Sequence, residues 1–230
     1  MTTDTPPLKG DFHMHTHYSR DCGTAPKDLV EHAMKVGLTC IAVTDHNAVS
    51  GAFEVEQLAP PELKVIIAEE IKTPFGEITG FFLKEEIPRD LSPEETCKRI
   101  KEQGGLVSIP HPYDRFRRSV LDDEALDSIM PYIDIVEVFN SRTPFLRDSQ
   151  KALDFAKKHD FLANAGSDAH TPGELGHVYV EMSPFDGPEE FKNSLRHAKI
   201  NGRRSSPLYH VVTTLTKWRK KYLSGGTPAK

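Results

Sequence analysis

The sequence predicts an α/β protein built as a single closed or nearly closed barrel. Short apolar runs alternate with helical stretches along the chain, the pattern of a mainly parallel sheet. Seven such runs fall within 230 residues, with no internal repeat, low-complexity tract or linker to divide them. Histidines and acids recur where the runs end, the face on which barrel enzymes build their sites.

Strands are predicted over 11–16, 39–44, 63–69, 77–83, 106–109, 133–139 and 162–166. The third is the apolar run Val65-Ile66-Ile67-Ala68, and the fourth follows it through Thr73-Pro74-Phe75-Gly76. That short connection predicts a hairpin and hence an irregular barrel. Helices are predicted over 26–36, 49–57 (a short turn), 93–103, 123–130, 144–159 and 188–197. Ser92-Pro93-Glu94-Glu95 is an N-cap followed by an early proline, and Gly37 and Gly104-Gly105 suit left-handed caps after helix ends.

With 37% hydrophobic and 27% charged residues, the composition is that of a folded globule. The net charge of −5 argues against non-specific nucleic-acid binding by the bulk of the surface. Cys22, Cys40 and Cys97 are widely spaced and form no C-x-x-C, so a reducing, cytoplasmic setting is expected, without disulfides. No apolar run is long enough for a membrane span, and the polar N-terminus does not read as a signal peptide.

Residues i and i+2 of a strand share a face, so His13 and His15 can aim two imidazoles at one point, as can Asp168 and His170. Asp45-His46, Glu69-Glu70, His111, Glu137 and Asn140 also stand at strand ends. Nitrogen and carboxylate donors together suit Zn, Mn or Fe. Neighbours on an extended segment diverge, so Asp45 is expected behind His46, with capping of the next helix as its alternative role.

Asp11-Phe12-His13-Met14-His15-Thr16, Val43-Thr44-Asp45-His46-Asn47, Glu70-Ile71, His111-Pro112 and Gly166-Ser167-Asp168-Ala169-His170 resemble, in order, the motifs of the polymerase-and-histidinol-phosphatase (PHP) family. The resemblance runs from about residue 10 to about residue 180. It implies a distorted (β/α)7 barrel, similar to a TIM barrel, with two or three divalent metal ions (Mn, Fe or Zn) at its C-terminal face. Carried over by position, the metal ligands are His13, His15, Asp21, His46, Glu70, His111, Asp168 and His170. Asp21 is the looser match, and the family's Glu-Ile selects Glu70 over Glu69. A ninth ligand is left between Glu77 and Asn140.

The activity so implied is metal-dependent hydrolysis of a phosphate ester by a metal-bridged hydroxide, without a Ser or Cys nucleophile. Relatives include histidinol-phosphate and nucleotide phosphatases, short-RNA exonucleases and proofreading modules of DNA polymerases. The short spacings between Glu70, His111 and Asp168 leave no room for an inserted domain and predict an open-topped site. The expected partner is a small phosphorylated substrate, such as a phosphomonoester, nucleotide or short oligonucleotide, and no duplex nucleic acid is expected.

Beyond the ligands, His17 is a candidate catalytic group if strand alternation continues past Thr16. Arg115, Arg117 and Arg142 are candidate phosphate anchors, because guanidinium forks match phosphate and do not titrate; a solvated charge run is the plain alternative, and Arg203 or Arg204 a further candidate. Two other functions compete. One is a non-catalytic module binding a phosphorylated ligand. The other is a metal-dependent hydrolase of a cyclic amide, for which Lys72 is the nearest bridging lysine.

Val211, Leu215, Trp218 and Tyr222 form an amphipathic stripe, with Lys217, Arg219, Lys220 and Lys221 on the other face. The predicted organisation is a flexible segment 1–9, a barrel over 10–206, a C-terminal helix over 207–223 packed on the barrel by that stripe, and a loose tail 224–230. A membrane-surface or partner-docking helix is the alternative.

Overall fold

The first strand, β1 (Leu8–Met14), is shared between two neighbours, and that sharing shapes the molecule. In this computed structural model, residues 6–206 and 208–223 are described. The chain continues through α1 (Pro26–Lys35), β2 (Cys40–Val43), α2 (Ser50–Leu58), β3 (Lys64–Thr73), β4 (Gly76–Phe81), α3 (Pro93–Glu102) and β5 (Leu106–Ile109). It then forms α4 (Asp123–Ile129), β6 (Ile133–Asn140), α5 (Leu146–His159), β7 (Leu162–Gly166), β8 (Val178–Met182), α6 (Gly187–Leu195), β9 (Lys199–Gly202) and α7 (Leu208–Leu223).

One sheet runs β7-β6-β5-β4-β3-β2-β1-β8-β9. β1–β2–β3 and β5–β6–β7 pair in parallel, while β4 is antiparallel to both β3 and β5. Lys9 and Gly10 of β1 pair antiparallel with Glu181 and Val180 of β8. The other end of β1 meets the segment after β7: the Asp168 N–H donates to the His13 carbonyl (2.7 Å) and the His15 N–H to the Ala169 carbonyl (2.9 Å). The sheet therefore curls into a distorted barrel that closes at the mouth, where the parallel strands end. Closure needs glycine at 166, because a Cβ there would lie 2.2 Å from the His13 Cβ.

Alternation assigns the two faces of the strands. Ile41, Val43, Ile67, Val107 and Val136 pack outward under the helices, with Leu29, Ala52, Val55 and Ile100. Cys40, Ala42, Ile66, Ala68, Phe81, Ile135 and Ala165 belong to a second cluster, which α6 covers with Phe191 and Leu195. The three cysteines are free and buried.

Three sequence expectations need correction. β8 and β9 were not foreseen, although Val178, Val180 and Met182 alternate with partly exposed residues in the half-buried strand pattern. β1 begins at Leu8, inside the segment expected to be flexible; residues 1–5, residue 207 and the tail 224–230 lie outside the described residues. α7 turns its stripe outward, with Val211 55%, Leu215 63%, Trp218 62% and Tyr222 71% exposed. It meets the mouth by polar contacts instead. Arg142 donates to Thr213 Oγ1 (2.6 Å), Tyr209 to the Gly173 carbonyl (3.2 Å), and Lys220 to the carbonyls of His17 (2.6 Å) and Ser19 (2.8 Å). No helix among the described residues is long and apolar enough to cross a membrane.

Candidate metal centre

All eight residues expected as ligands converge at the mouth, seven from a strand end or the loop after it and Glu70 from within β3. His13 stands on β1, and His15 and Asp21 follow it. His46 follows β2 and Glu70 lies on β3. His111 follows β5, and Asp168 and His170 follow β7. His111 (φ 32°) and Asp168 (φ 53°) adopt the left-handed backbone region that non-glycine residues avoid, a strain that concentrates at functional sites.

Glu70 is the hub. Its Oε1 lies 2.8 Å from His111 Nε2 and 3.5 Å from His13 Nε2. Its Oε2 lies 3.0 Å from His46 Nδ1 and 3.6 Å from His15 Nε2. Asp168 Oδ1 is 3.3 Å from His15 Nε2 and 3.7 Å from His13 Nε2. Asp21 spans His46 Nε2 (3.6 Å) and His170 Nε2 (3.5 Å).

Of the two candidates for a ninth ligand, Glu77 faces the cluster, 3.8 Å from both His46 and His111. It comes from the start of β4, and because β4 is antiparallel its start lies at the mouth. Asn140 instead donates to Glu137 (3.1 Å) and Asp168 (3.2 Å), with its oxygen accepting from the Arg142 N–H (3.0 Å).

These donors fit divalent cations. Donors bound to one ion at about 2.1 Å stand roughly 3–3.4 Å apart, near the separations seen. His15, His46 and His170 converge in one group, and His13, His15 and Asp168 in a second. His13, Glu70 and His111 form a third group, and His46, Glu70 and Glu77 a fourth. His13 Nε2, His15 Nε2, Asp21 Oδ1 and Asp168 Oδ1 are buried without a hydrogen-bond partner, which is costly for polar atoms unless something else satisfies them.

Neighbours aim the imidazoles. Glu137 Oε1 accepts from His13 Nδ1 (3.1 Å) while Oε2 accepts from the His111 N–H (2.7 Å), freeing His13 Nε2 for the centre. Ser19 Oγ donates to Asp45 (2.6 Å), so it accepts from His15 Nδ1 (3.1 Å) and frees His15 Nε2. Asp45 thus stands behind the cluster, and its other contacts are the Thr16 N–H (2.7 Å) and hydroxyl (2.5 Å). It does not cap α2, whose N-cap is Val49. Sequence reading placed Glu137 at a strand end but gave it no role, and Ser19 was missed; a carboxylate two residues along from an inward Ile135 was the available signal for Glu137.

Burial and charge act together on these groups. Burial pushes the His15 imidazole down to about 3, helped by His170 and His46, which keeps it neutral as a ligand must be. Burial also opposes charge on His13, but Glu137, Asp168 and Glu70 outweigh it and hold its pKa well above the ordinary histidine value. Asp168 is held well below the usual carboxylate range: Arg117 and His13 overcome the cost of burial. Those opposed fields mark a place where carboxylates favour a cation.

The other predicted groups divide. Arg117 reaches the centre, donating to Asp168 Oδ2. Arg142 lies 2.8 Å from His170 Nδ1 and 3.2 Å from Glu174. Arg115 is drawn aside by Asp148 (2.5 Å), away from the cluster. His17 does not join His13 and His15: β1 ends at Met14, and His17 is exposed and stacked on Tyr18. Lys72 is exposed, so no bridging lysine enters the centre from β3. Arg203 is exposed, and Arg204 donates to the Pro144 carbonyl.

Comparison with known proteins bears on this geometry. The PHP domain model matches residues 11–128, and a PHP-associated model matches residues 147–200. An uncharacterised protein of Methanocaldococcus jannaschii is 37% identical over 199 residues, 82% of this chain and 79% of the relative. Among solved structures, a two-domain protein of Bacteroides vulgatus containing a predicted PHP-like metal-dependent phosphoesterase superposes with a TM-score of 0.70 at 19% identity. The match covers 86% of this chain and 65% of that one. Endonuclease Q, solved with a 27-mer duplex substrate carrying an abasic lesion at the active site, superposes with a TM-score of 0.63 at 19% identity, over 86% of this chain and 60% of that one. That complex corrects the expectation that excluded duplex nucleic acid, since a protein containing this fold has been solved with a duplex substrate at its active site.

Proposed function

This chain belongs to the PHP-domain family, and on that premise we propose that it is a metal-dependent phosphoesterase acting on a small phosphomonoester or a short nucleotide. The observation that carries the reading is the set of buried, unpartnered nitrogen and carboxylate donors converging at one barrel mouth. His13, His15, Asp21, His46, Glu70, His111, Asp168 and His170 would hold the metal ions, with Glu77 as the ninth ligand. Bound Mn, Fe or Zn would lower the pKa of water and polarise the phosphoryl oxygens.

This chain's own residues would do the rest. Glu137 and Ser19 hold His13 and His15 in the orientation that leaves their Nε2 atoms free. Arg117, six residues past His111, contacts Asp168 directly and would pair with a phosphate dianion at the centre. Arg142 would hold His170 and join it to α7. No side chain is assigned as proton donor to the leaving group.

The test is turnover of nitrophenyl phosphate and of nucleotides by chelator-treated protein, with and without added Mn. Restoration by the metal, and its loss in His13→Ala and Asp168→Ala, is expected. Retained turnover in both variants would overturn the reading.

A further inference from the structure

The loop from β5 to α4, whose Arg117 reaches Asp168, carries a feature that hydrolysis of a bare phosphate ester does not use. Phe116 is 67% exposed, and Phe145, just before α5, is 46% exposed. Their rings lie 5.7 Å apart, tilted by 32°, and the Arg115 guanidinium sits 5.5 Å from the Phe145 ring centre. Arg115 is itself fixed by Asp148. Two large apolar rings standing together in water are unfavourable unless something covers them.

The pair is held rather than loose. Buried Asp114 accepts from the Phe116 N–H (3.1 Å), from Arg117 Nε (3.3 Å) and from the Thr143 hydroxyl (3.1 Å). One carboxylate thus ties Phe116 to Arg117, whose far end reaches Asp168 in the centre, and to the segment leading into Phe145. Arg115, Arg117 and Arg118 flank Phe116 in sequence, with Arg115 paired to Asp148 and Arg117 to Asp114 and Asp168.

We infer that Phe116 and Phe145 are a stacking platform for a nucleobase whose phosphate lies at the metal centre. The inference rests on the phosphoesterase reading and narrows it: the ester is a nucleotide, free or at the end of a nucleic-acid strand. A planar base offers a π-face to the open side of Phe116, extending a stack that already contains a ring and a guanidinium. Arg117, whose far end reaches Asp168, supplies a cation on the phosphate side of the platform. A sugar phosphate would leave both rings uncovered.

Calorimetric titration of Mn-loaded protein, with each ester supplied as its non-hydrolysable phosphonate so that the phosphate site is intact and turnover is blocked, separates the possibilities. Adenosine 5′-phosphate should bind roughly tenfold or more tightly than ribose 5-phosphate, as a base–aromatic stack implies. The Phe116→Ala/Phe145→Ala protein should lose that preference and keep its affinity for ribose 5-phosphate. Both side chains are exposed, so an unchanged melting temperature is the control. Absence of a preference in the parent chain, including failure of both compounds to bind, or its survival in the double variant, overturns the platform.

A 5′-phosphorylated single-stranded trinucleotide distinguishes the sources: tighter binding than adenosine 5′-phosphate points to a strand end, equal binding to a free nucleotide. With Mn added, the double variant should raise KM for adenosine 5′-phosphate and leave ribose 5-phosphate hydrolysis unchanged. Failure of the parent chain to hydrolyse either ester would sink the phosphoesterase reading alone, since the calorimetric preference is read without turnover.

Discussion

The floor and the mouth of the barrel use the same strands for opposite purposes. At the floor, Ile66, Ala68, Phe81 and Ile135 are buried against one another. One step further along the same faces, Ile66 and Ala68 give way to Glu70, and Ile135 gives way to Glu137. The floor gains free energy from burial at about 25 cal/mol per Å² of apolar surface. The mouth buries ionisable groups with unpartnered atoms, which lowers stability until a cation satisfies them. The difference teaches that this fold separates the residues that hold it together from those that serve chemistry by only two positions along a strand.

The sharpest way to break the mouth is Glu70→Ala, because Glu70 touches four histidines. It should cost turnover roughly three orders of magnitude or more, given the several kcal/mol a metal supplies, and metal analysis should show the ions depleted. Breaking the floor should do the converse. Ile66→Ala should lower stability by about 2–5 kcal/mol in denaturant titration and leave metal content intact; a loss of metal would show that the two regions are not independent.

Glu137→Gln tests whether orientation of His13 matters. It should weaken metal affinity about 10–100-fold with little change in the melting temperature of the metal-free protein. Saturating metal should stabilise the parent chain by about 2.7 kcal/mol at 100 times the dissociation constant, and this increment should shrink in the variant at equal metal concentration.

The smallest effect is expected outside both regions, at His177. Burial and Arg203 lower its pKa in the folded chain, so the fold favours the neutral ring. Its contribution is present above the ordinary value of 6.5 and is lost as pH falls through the lowered folded value. His177→Gln should flatten the acid side of the melting-temperature profile without affecting metal binding.

Legibility in the sequence followed physical range. The strands at 106–109 and 162–166 coincide with β5 and β7, because each is an apolar run bounded by turn-forming residues. The His13/His15 pair was readable from the strand period, which carries one residue past β1 because the His15 N–H bonds to the Ala169 carbonyl. So was the choice of His46 over its neighbour Asp45, since adjacent side chains diverge. His17 was not, because where β1 stops depends on the loop to Thr24, whose carbonyl takes the His17 N–H. Arg115 and Arg117 look alike in a charge run; Asp148 and Asp168, both distant in sequence, decide which one reaches the centre.

By itself, the sequence determined the alternation of strands and helices, the residues carrying donor atoms, and the barrel end at which most of them gather. Those are local properties of period, side-chain chemistry and capping. Only the tertiary structure decided that Glu77 joins from an antiparallel strand, that Glu137 and Ser19 aim the imidazoles, that β8 takes half of β1, and that α7 docks by its polar side. Each of those outcomes depends on a partner tens of residues away, and the period of a segment fixes which of its residues share a face without fixing what that face meets.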